Sequence, residues 1–269
     1  MNMENKFNVS VVLPIKTATS KSFDEYFKKA IQSIKEQKTQ INELVIVHTD
    51  EELLTKFVNE EDYGDLNVKK LVWVDQPNFC SQVNYGIMHA TSEWISILEV
   101  DDEYASIWFK NAKHYSEIHK DVSAFLPIVV DVDNKGHFAG FTNEATFASN
   151  FTQEIGILTN QTLMDFQNFQ TSGMVFKKSV VEDYGGLKPS MKLTFVYEFL
   201  LRLTHNSIRI MTIPKIGYKH INLRDGSIFW NYKHGNDILS ENEVRFWIDS
   251  AKKEYFFKED RQIKFEQPV

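Results

Sequence analysis

Val9-Ser-Val-Val-Leu-Pro14 is a short apolar run of β-forming residues stopped by a proline. Behind it Phe23, Tyr26, Phe27, Ala30, Ile31 and Ile34 recur at spacings of three and four, which predicts an amphipathic helix. Ser22 stands where it can cap that helix, with Glu25 as its capping-box partner. Leu44-Val-Ile-Val47 reads as a second buried strand with a short helix over 51–58 behind it. Lys70-Leu-Val-Trp-Val74 and a helix over 81–89 repeat the pattern, as do Trp94-Ile-Ser-Ile-Leu98 and a helix over 105–119. A fifth extended run covers 122–130, interrupted at Pro127. Four alternations of strand and helix predict right-handed crossovers and an α/β fold: a mostly parallel central sheet with helices on both faces.

From 131 to 168 the period is lost among polar and aromatic residues, and a stretch of that length reads as a lid or binding loop. Its phenylalanines, Phe138, Phe141, Phe147, Phe151 and Phe166, with Phe169 just beyond, are either a wall of a ligand site or ordinary packing under a loop. Ser172-Gly-Met-Val-Phe176 reads as a returning strand, 180–184 as a helix closed by Gly185-Gly186, 195–204 as a helix and 209–213 as a strand. Val244, Trp247, Ile248 and Ala251 mark one face of a last helix. No repeat or linker interrupts the chain, so one domain over 1–269 is expected: a first half over about 8–130, a second over about 131–228, and a helical tail over about 236–269.

With 42% hydrophobic residues and 21 phenylalanines there is ample material for a core. The net charge of -7 argues against a surface that grips nucleic acid throughout, but leaves room for a local basic groove. Cys80 is the only cysteine, which excludes an internal disulfide and a multi-cysteine zinc site; a small buried residue is its simpler reading. No apolar stretch reaches the roughly 20 residues of a membrane span, and the first residues lack a signal-peptide core. A soluble, cytoplasmic setting is expected.

Candidate chemistry concentrates at Glu99-Val100-Asp101-Asp102, directly after the fourth strand. The C-terminal ends of parallel strands are where open α/β sheets bind ligands. Carboxylates crowded there call for a hard cation such as Mg²⁺ or Mn²⁺, which in turn holds phosphates; a solvated acidic turn is spelled the same way. No Gly-x-Gly-x-x-Gly follows the first strand, so phosphates depend on metal and side chains rather than a glycine cradle.

Four segments together resemble the family 2 glycosyltransferases, inverting enzymes with the GT-A (nucleotide-diphospho-sugar transferase-like) fold, over about residues 8–228. They are Val9 to Pro14 with Glu43 to Val47; Asn84-Tyr-Gly86 with Trp94 to Asp102; Gly173 with Tyr184-Gly-Gly-Leu187 and Val196 to Arg202; and Tyr218-Lys-His220 with Arg224-Asp-Gly-Ser227. The resemblance implies a metal, Mn²⁺ or Mg²⁺, held by Asp101, Asp102 and His220. Nucleotide-sugar contacts are implied at Pro14, His48, Asp50, Gln82, Asn84, Glu99, Asp101, Arg224 and Ser227. Glu99 replaces the family's first aspartate. Where the family has Glu-Asp at the acceptor side, this chain has Tyr197-Glu198, making Glu198 the candidate general base. Both positions that usually read uracil are altered, with His48-Thr-Asp50-Glu51 in one and Gln82-Val83 in the other, so UDP is a default donor nucleotide.

The implied reaction is displacement at the donor's anomeric carbon with inversion. The small size and Lys/Asn/Phe-rich style resemble phage-type members, for which two hydroxyl acceptors compete: a glycan precursor, or a hydroxylated base in phage DNA. Lys177, Lys178, Lys188, Lys192, Arg202, Lys215 and Lys219 are the residues from which a DNA groove could be built, or simply a solvated face. Rival classes are a nucleotidyltransferase on a related sheet, disfavoured by Lys16-Thr-Ala-Thr19 in place of a glycine-rich loop, and a non-catalytic sugar-binding or scaffold protein.

Overall fold

Every residue of the first apolar run is buried, and it forms the strand from which the sheet grows: β1, Val9–Ile15. In this computed structural model, which describes residues 6–17, 22–222, 227–235 and 237–261, β1 leads into helix α1, Phe23–Lys35. Then follow β2 (Glu43–Thr49), α2 (Glu52–Glu60), β3 (Val68–Trp73), α3 (Phe79–His89) and β4 (Trp94–Ile97). The four strands pair in parallel in the order β3-β2-β1-β4, as crossover helices require.

Side-chain alternation along the strands divides the interior into two cores. Val9, Val11, Leu13 and Ile15 face Phe23, Phe27 and Ile31 of α1, with Leu54 of α2. Val12, Val45 and Val47 face the opposite way, onto Val83 and Ile87 of α3. Gly86 lets α3 lie close on β1: a Cβ there would come within 2.4 Å of the Val12 side chain.

The second half holds β5 (Glu103–Tyr104), α4 (Trp108–Ile118), β6 (Ala124–Val132), β7 (Phe138–Thr142), β8 (Gly156–Leu158) and α5 (Asn160–Asp165). It continues with β9 (Val175–Lys177), α6 (Lys178–Tyr184), α7 (Phe195–His205), β10 (Ile210–Ile221), α8 (Ile228–His234) and α9 (Glu241–Glu254). Here short antiparallel pairings join the parallel ones, so the central sheet is mixed while its longest pairings stay parallel. β9 runs antiparallel between β4 and β6, while β6 and β10 pair in parallel, giving the order β3-β2-β1-β4-β9-β6-β10-β5.

The segment 131–168, expected to be an aperiodic loop, contains β7, a 3-10 turn at Ala145–Phe147, β8 and α5. β7 pairs with β6 alone and exposes Phe138 and Phe141, so its apolar residues face outward and leave no core-facing period. The strand expected over 209–213 extends to Ile221 because it survives Pro214 through register shifts between Ile213 and Tyr218. Among the described residues no helix is long and apolar enough to cross a membrane.

Candidate active site

β4 ends just before Leu98-Glu99, and the chain turns through Val100, Asp101 and Asp102 into β5. β10 reaches the same place from the other half of the sheet and brings Tyr218 and His220. The Glu99 backbone N–H donates to the Tyr218 hydroxyl at 3.0 Å, and Tyr218 is fully buried edge-on against Tyr104, 5.3 Å between ring centroids. That burial, with Asp102 and Glu99 nearby, holds the Tyr218 phenol well above its usual range. Gly173, at φ +70°, fits against this tyrosine where an added Cβ would lie 2.7 Å from the ring.

Asp102 is completely buried and both its oxygens accept: Oδ1 from the Ile221 N–H and Oδ2 from His220 Nδ1, each at 2.9 Å. Glu99, Asp102 and His220 each offer one ligand atom, and these atoms lie within 4.8 Å of one another. Burial by itself pushes the His220 imidazole down. Asp102, then Glu99 and Asp131, reverse this and raise its pKa to about 10. Asp131 sits beside His220 in the β6–β10 register, and its carboxyl is raised by burial, with His220 and Thr142 opposing. Three carboxylates thus converge on one imidazole and call for positive charge. Carboxylate oxygens and an imidazole nitrogen are ligands that suit Mn²⁺ or Mg²⁺.

Glu99 also lines a cavity of about 300 Å³ whose other walls come from residues 167–172, the start of α7 and the start of α8. α7 presents Thr194, Phe195, Val196 and Tyr197 to this space. It does not present Glu198. That side chain is fully buried, with Oε1 and Oε2 each 2.9 Å from Arg202, at Nε and Nη2, and Lys188 Nζ 2.9 Å from Oε1. Arg202 also donates to the carbonyls of Tyr184, Gly185 and Gly186, and Lys188 to those of Glu254 and Phe257. The residue expected to act as base is the anion of an enclosed ion-pair network, because the four-residue spacing of Glu198 and Arg202 turns both off the cavity face.

The sequence profile named Glycosyl transferase family 2 matches residues 10–185, a span from β1 to the end of α6 that includes the acid cluster. The chain belongs to glycosyl transferase family 2. Comparison with curated proteins finds no match. The family fold is seen in solved structures of S. aureus TarS. The fragment 1–349 in complex with UDP-GlcNAc has a TM-score of 0.65 at 17% identity, covering 83% of this chain and 61% of that one. The same fragment in complex with UDP has a TM-score of 0.61 at 16% identity, covering 93% and 72%. This family 2 chain therefore spans less than two thirds of the length of the UDP-GlcNAc-bound fragment, and the likeness establishes the α/β, GT-A-type fold.

On that family 2 frame the remaining expected site residues fall into separate groups. Asp101 is buried, and the ligand atoms that converge are those of Glu99, Asp102 and His220. Pro14 and His48 lie at the C-terminal ends of β1 and β2, His48 with Nδ1 2.9 Å from the Thr49 carbonyl, and Asp50 follows exposed. Gln82 is buried beneath them, its amide donating to the Ile15 carbonyl. Asn84 clamps Leu187 through both its backbone N–H and its carbonyl, so its bonds serve the loop after α6. Ser227 caps α8 by accepting from the Trp230 N–H. Arg224 lies outside the described residues.

Several of the basic residues are already engaged within the fold. Lys188 and Arg202 are consumed in the buried network, Lys178 is bound to the Ala90 carbonyl, Lys219 pairs with Glu103, and Lys177 lies over the Trp94 ring. Cys80 is buried and its thiol is pushed up by burial, in keeping with a packing role. Asp131 was missed as a site residue, yet it ends the apolar run of β6 much as Glu99 follows that of β4.

Proposed function

We propose that the chain transfers a sugar, with inversion, from a nucleotide-diphosphate sugar, UDP by default, to a hydroxyl acceptor. The observation that carries this reading is the convergence of Glu99, Asp102 and His220 beside a cavity at the C-terminal ends of the strands. The solved likeness to a protein crystallised with UDP-GlcNAc and UDP supports the donor class. Glu99, Asp102 and His220 are the residues to hold Mn²⁺ or Mg²⁺, which when bound would neutralise charge on the departing diphosphate.

The chain's own groups do the rest. Asp102 fixes the His220 ring through Nδ1, and the Ile221 N–H in turn fixes Asp102. α7 turns no carboxylate into the cavity, and Glu99 is the acid that lines it. The enclosure of Glu198 favours a second reading, nucleotide-sugar binding without transfer.

A panel of nucleotide sugars incubated with the protein and Mn²⁺ separates the two. Release of nucleoside diphosphate, abolished in Glu99→Gln, supports transfer. Thermal stabilisation by the donors with no release supports binding alone, and neither response removes both readings.

A further inference from the structure

Around β1 and β4 the sheet is covered on both faces, and every residue of those strands is buried. Farther along, one face loses its cover. Tyr218 lies beside Val129 and His220 beside Asp131 in the β10–β6 register, and these four share the face of the candidate site. Alternate residues point the other way. There Ile128 and Val130 of β6 are only half-buried, and Ile216, the register partner of Ile128, is 48% exposed. Lys219, the partner of Val130, pairs with Glu103 on the same side.

β7 extends this face by means of a bulge. Val132 lies opposite Phe138, Asp131 opposite Gly140 and Val130 opposite Phe141, so three residues of β6 span four of β7. In a regular strand residues three apart point to opposite faces; the inserted residue puts Phe138 and Phe141 on the same one. Their rings meet there at 4.9 Å, 62% and 41% exposed. At roughly 200 Å² for a whole aromatic side chain and about as much for isoleucine, the exposed parts of Phe138, Phe141 and Ile216 amount to about 300 Å². A standard interface removes about 800 Å² from each partner, with an apolar centre of this order inside a polar rim.

Charge selects the partner. With 37 acidic against 30 basic side chains, two copies of the chain repel one another on average. The margins of this patch are balanced instead: Lys219 and Glu103 on one side, Asp133 and Lys135 of the β6–β7 turn on the other. A surface that meets itself about a two-fold axis must complement itself, and an acid and a base on each margin allow every charge to face its opposite. An anionic lipid surface gains nothing from a neutral rim.

We infer that the face formed by Phe138, Phe141, Ile216 and Val130 is a self-association surface, on which a second copy of the chain packs about a two-fold axis. Tyr218, His220 and Asp131 lie on the other face of the sheet, so the inference does not depend on the transfer reading.

Sedimentation velocity on the full chain, from about 1 to about 100 μM, measures it. The expected result is a mass that rises with concentration from 31.4 kDa toward twice that value. Phe138→Asp combined with Phe141→Asp sets four acids between the copies and should raise the dissociation constant at least about tenfold. Ile216→Glu, on a different strand, should do the same. Thermal melts check that both variants fold.

A chain that stays monomeric throughout overturns the inference. So does a dimer that either folded variant keeps, because the contact then lies elsewhere. Co-sedimentation of a monomeric chain with phosphatidylcholine vesicles, lost in the double variant, overturns it too and makes the same face a lipid surface.

Discussion

Replacing Glu198 with glutamine distinguishes a structural anion from a catalytic one. In the native fold its two oxygens take two bonds from Arg202 and one contact from Lys188, all at 2.9 Å and with no exposure to water. Glutamine keeps one acceptor but turns an N–H₂ group toward a donor, and it leaves Arg202 without its carboxylate and Lys188 with only that of Glu254, at 3.7 Å. Removing one partner of such a buried pair costs roughly 3–5 kcal/mol. The carbonyl bonds of Arg202 and Lys188 persist, which places the expected loss near the lower end, about 3 kcal/mol. For a chain of this size that lowers Tm by about 6–12 °C. Urea and thermal melts of Glu198→Gln measure the loss, and thermal stabilisation by UDP with Mn²⁺, taken below the new Tm, measures the donor site. The expected outcome is a large fall in stability with donor binding kept. A melt unchanged within about 1 °C, together with abolished transfer, would refute the structural assignment and restore Glu198 as the base.

Other consequences are open to measurement. His220→Ala should abolish the Mn²⁺-dependent part of UDP stabilisation, read by differential scanning fluorimetry with and without chelator, while leaving the two cores folded. Without metal, stability should be fullest below about pH 6.5 and decline as pH rises toward about 10, because the folded pKa of His220 lies above its ordinary value and the proton is lost across that window. The raised Asp131 carboxyl adds a decline of the same sign that starts lower, as pH rises through the ordinary carboxylate range, since its ionisation costs more in the fold than in the unfolded chain. Urea melts across that range should show the decline, and His220→Asn should flatten it. Gly173→Ala combines a φ of +70° with a Cβ 2.7 Å from Tyr218, so it should destabilise by more than about 1 kcal/mol and weaken Mn²⁺-dependent binding by moving the hydroxyl that holds Glu99.

The first half of the fold was legible because β1, β2 and β4 are buried on both faces and read as unbroken apolar runs, with α1 and α3 in clear helical period between them. The second half was harder for identifiable reasons. β7 turns Phe138 and Phe141 outward against each other, 4.9 Å apart, so its pattern resembles a loop. β10 crosses Pro214 and two register shifts, which hid the strand that delivers His220. Within the site, Asp102 and His220 were visible as chemistry-bearing residues, but the convergence of Glu99 with them depends on how the turn after β4 is wound. The acidity of Glu198 was visible too. A glutamate and an arginine four apart in a helix otherwise rich in Phe, Leu and Val were the available sign that both lie inside the protein.

The carbonyls of Glu254 and Phe257 are where Lys188 ends, and Lys188 in turn meets the glutamate on the helix that walls the cavity. Lifting residues 254–257 off the body would strip the Lys188 ammonium of two carbonyl acceptors and the Glu254 carboxylate, leaving it Glu198 alone. The end of α9 and the residues after it are thereby made a sentinel: their resistance to limited proteolysis reports on the soundness of a binding wall belonging to a distant part of the chain.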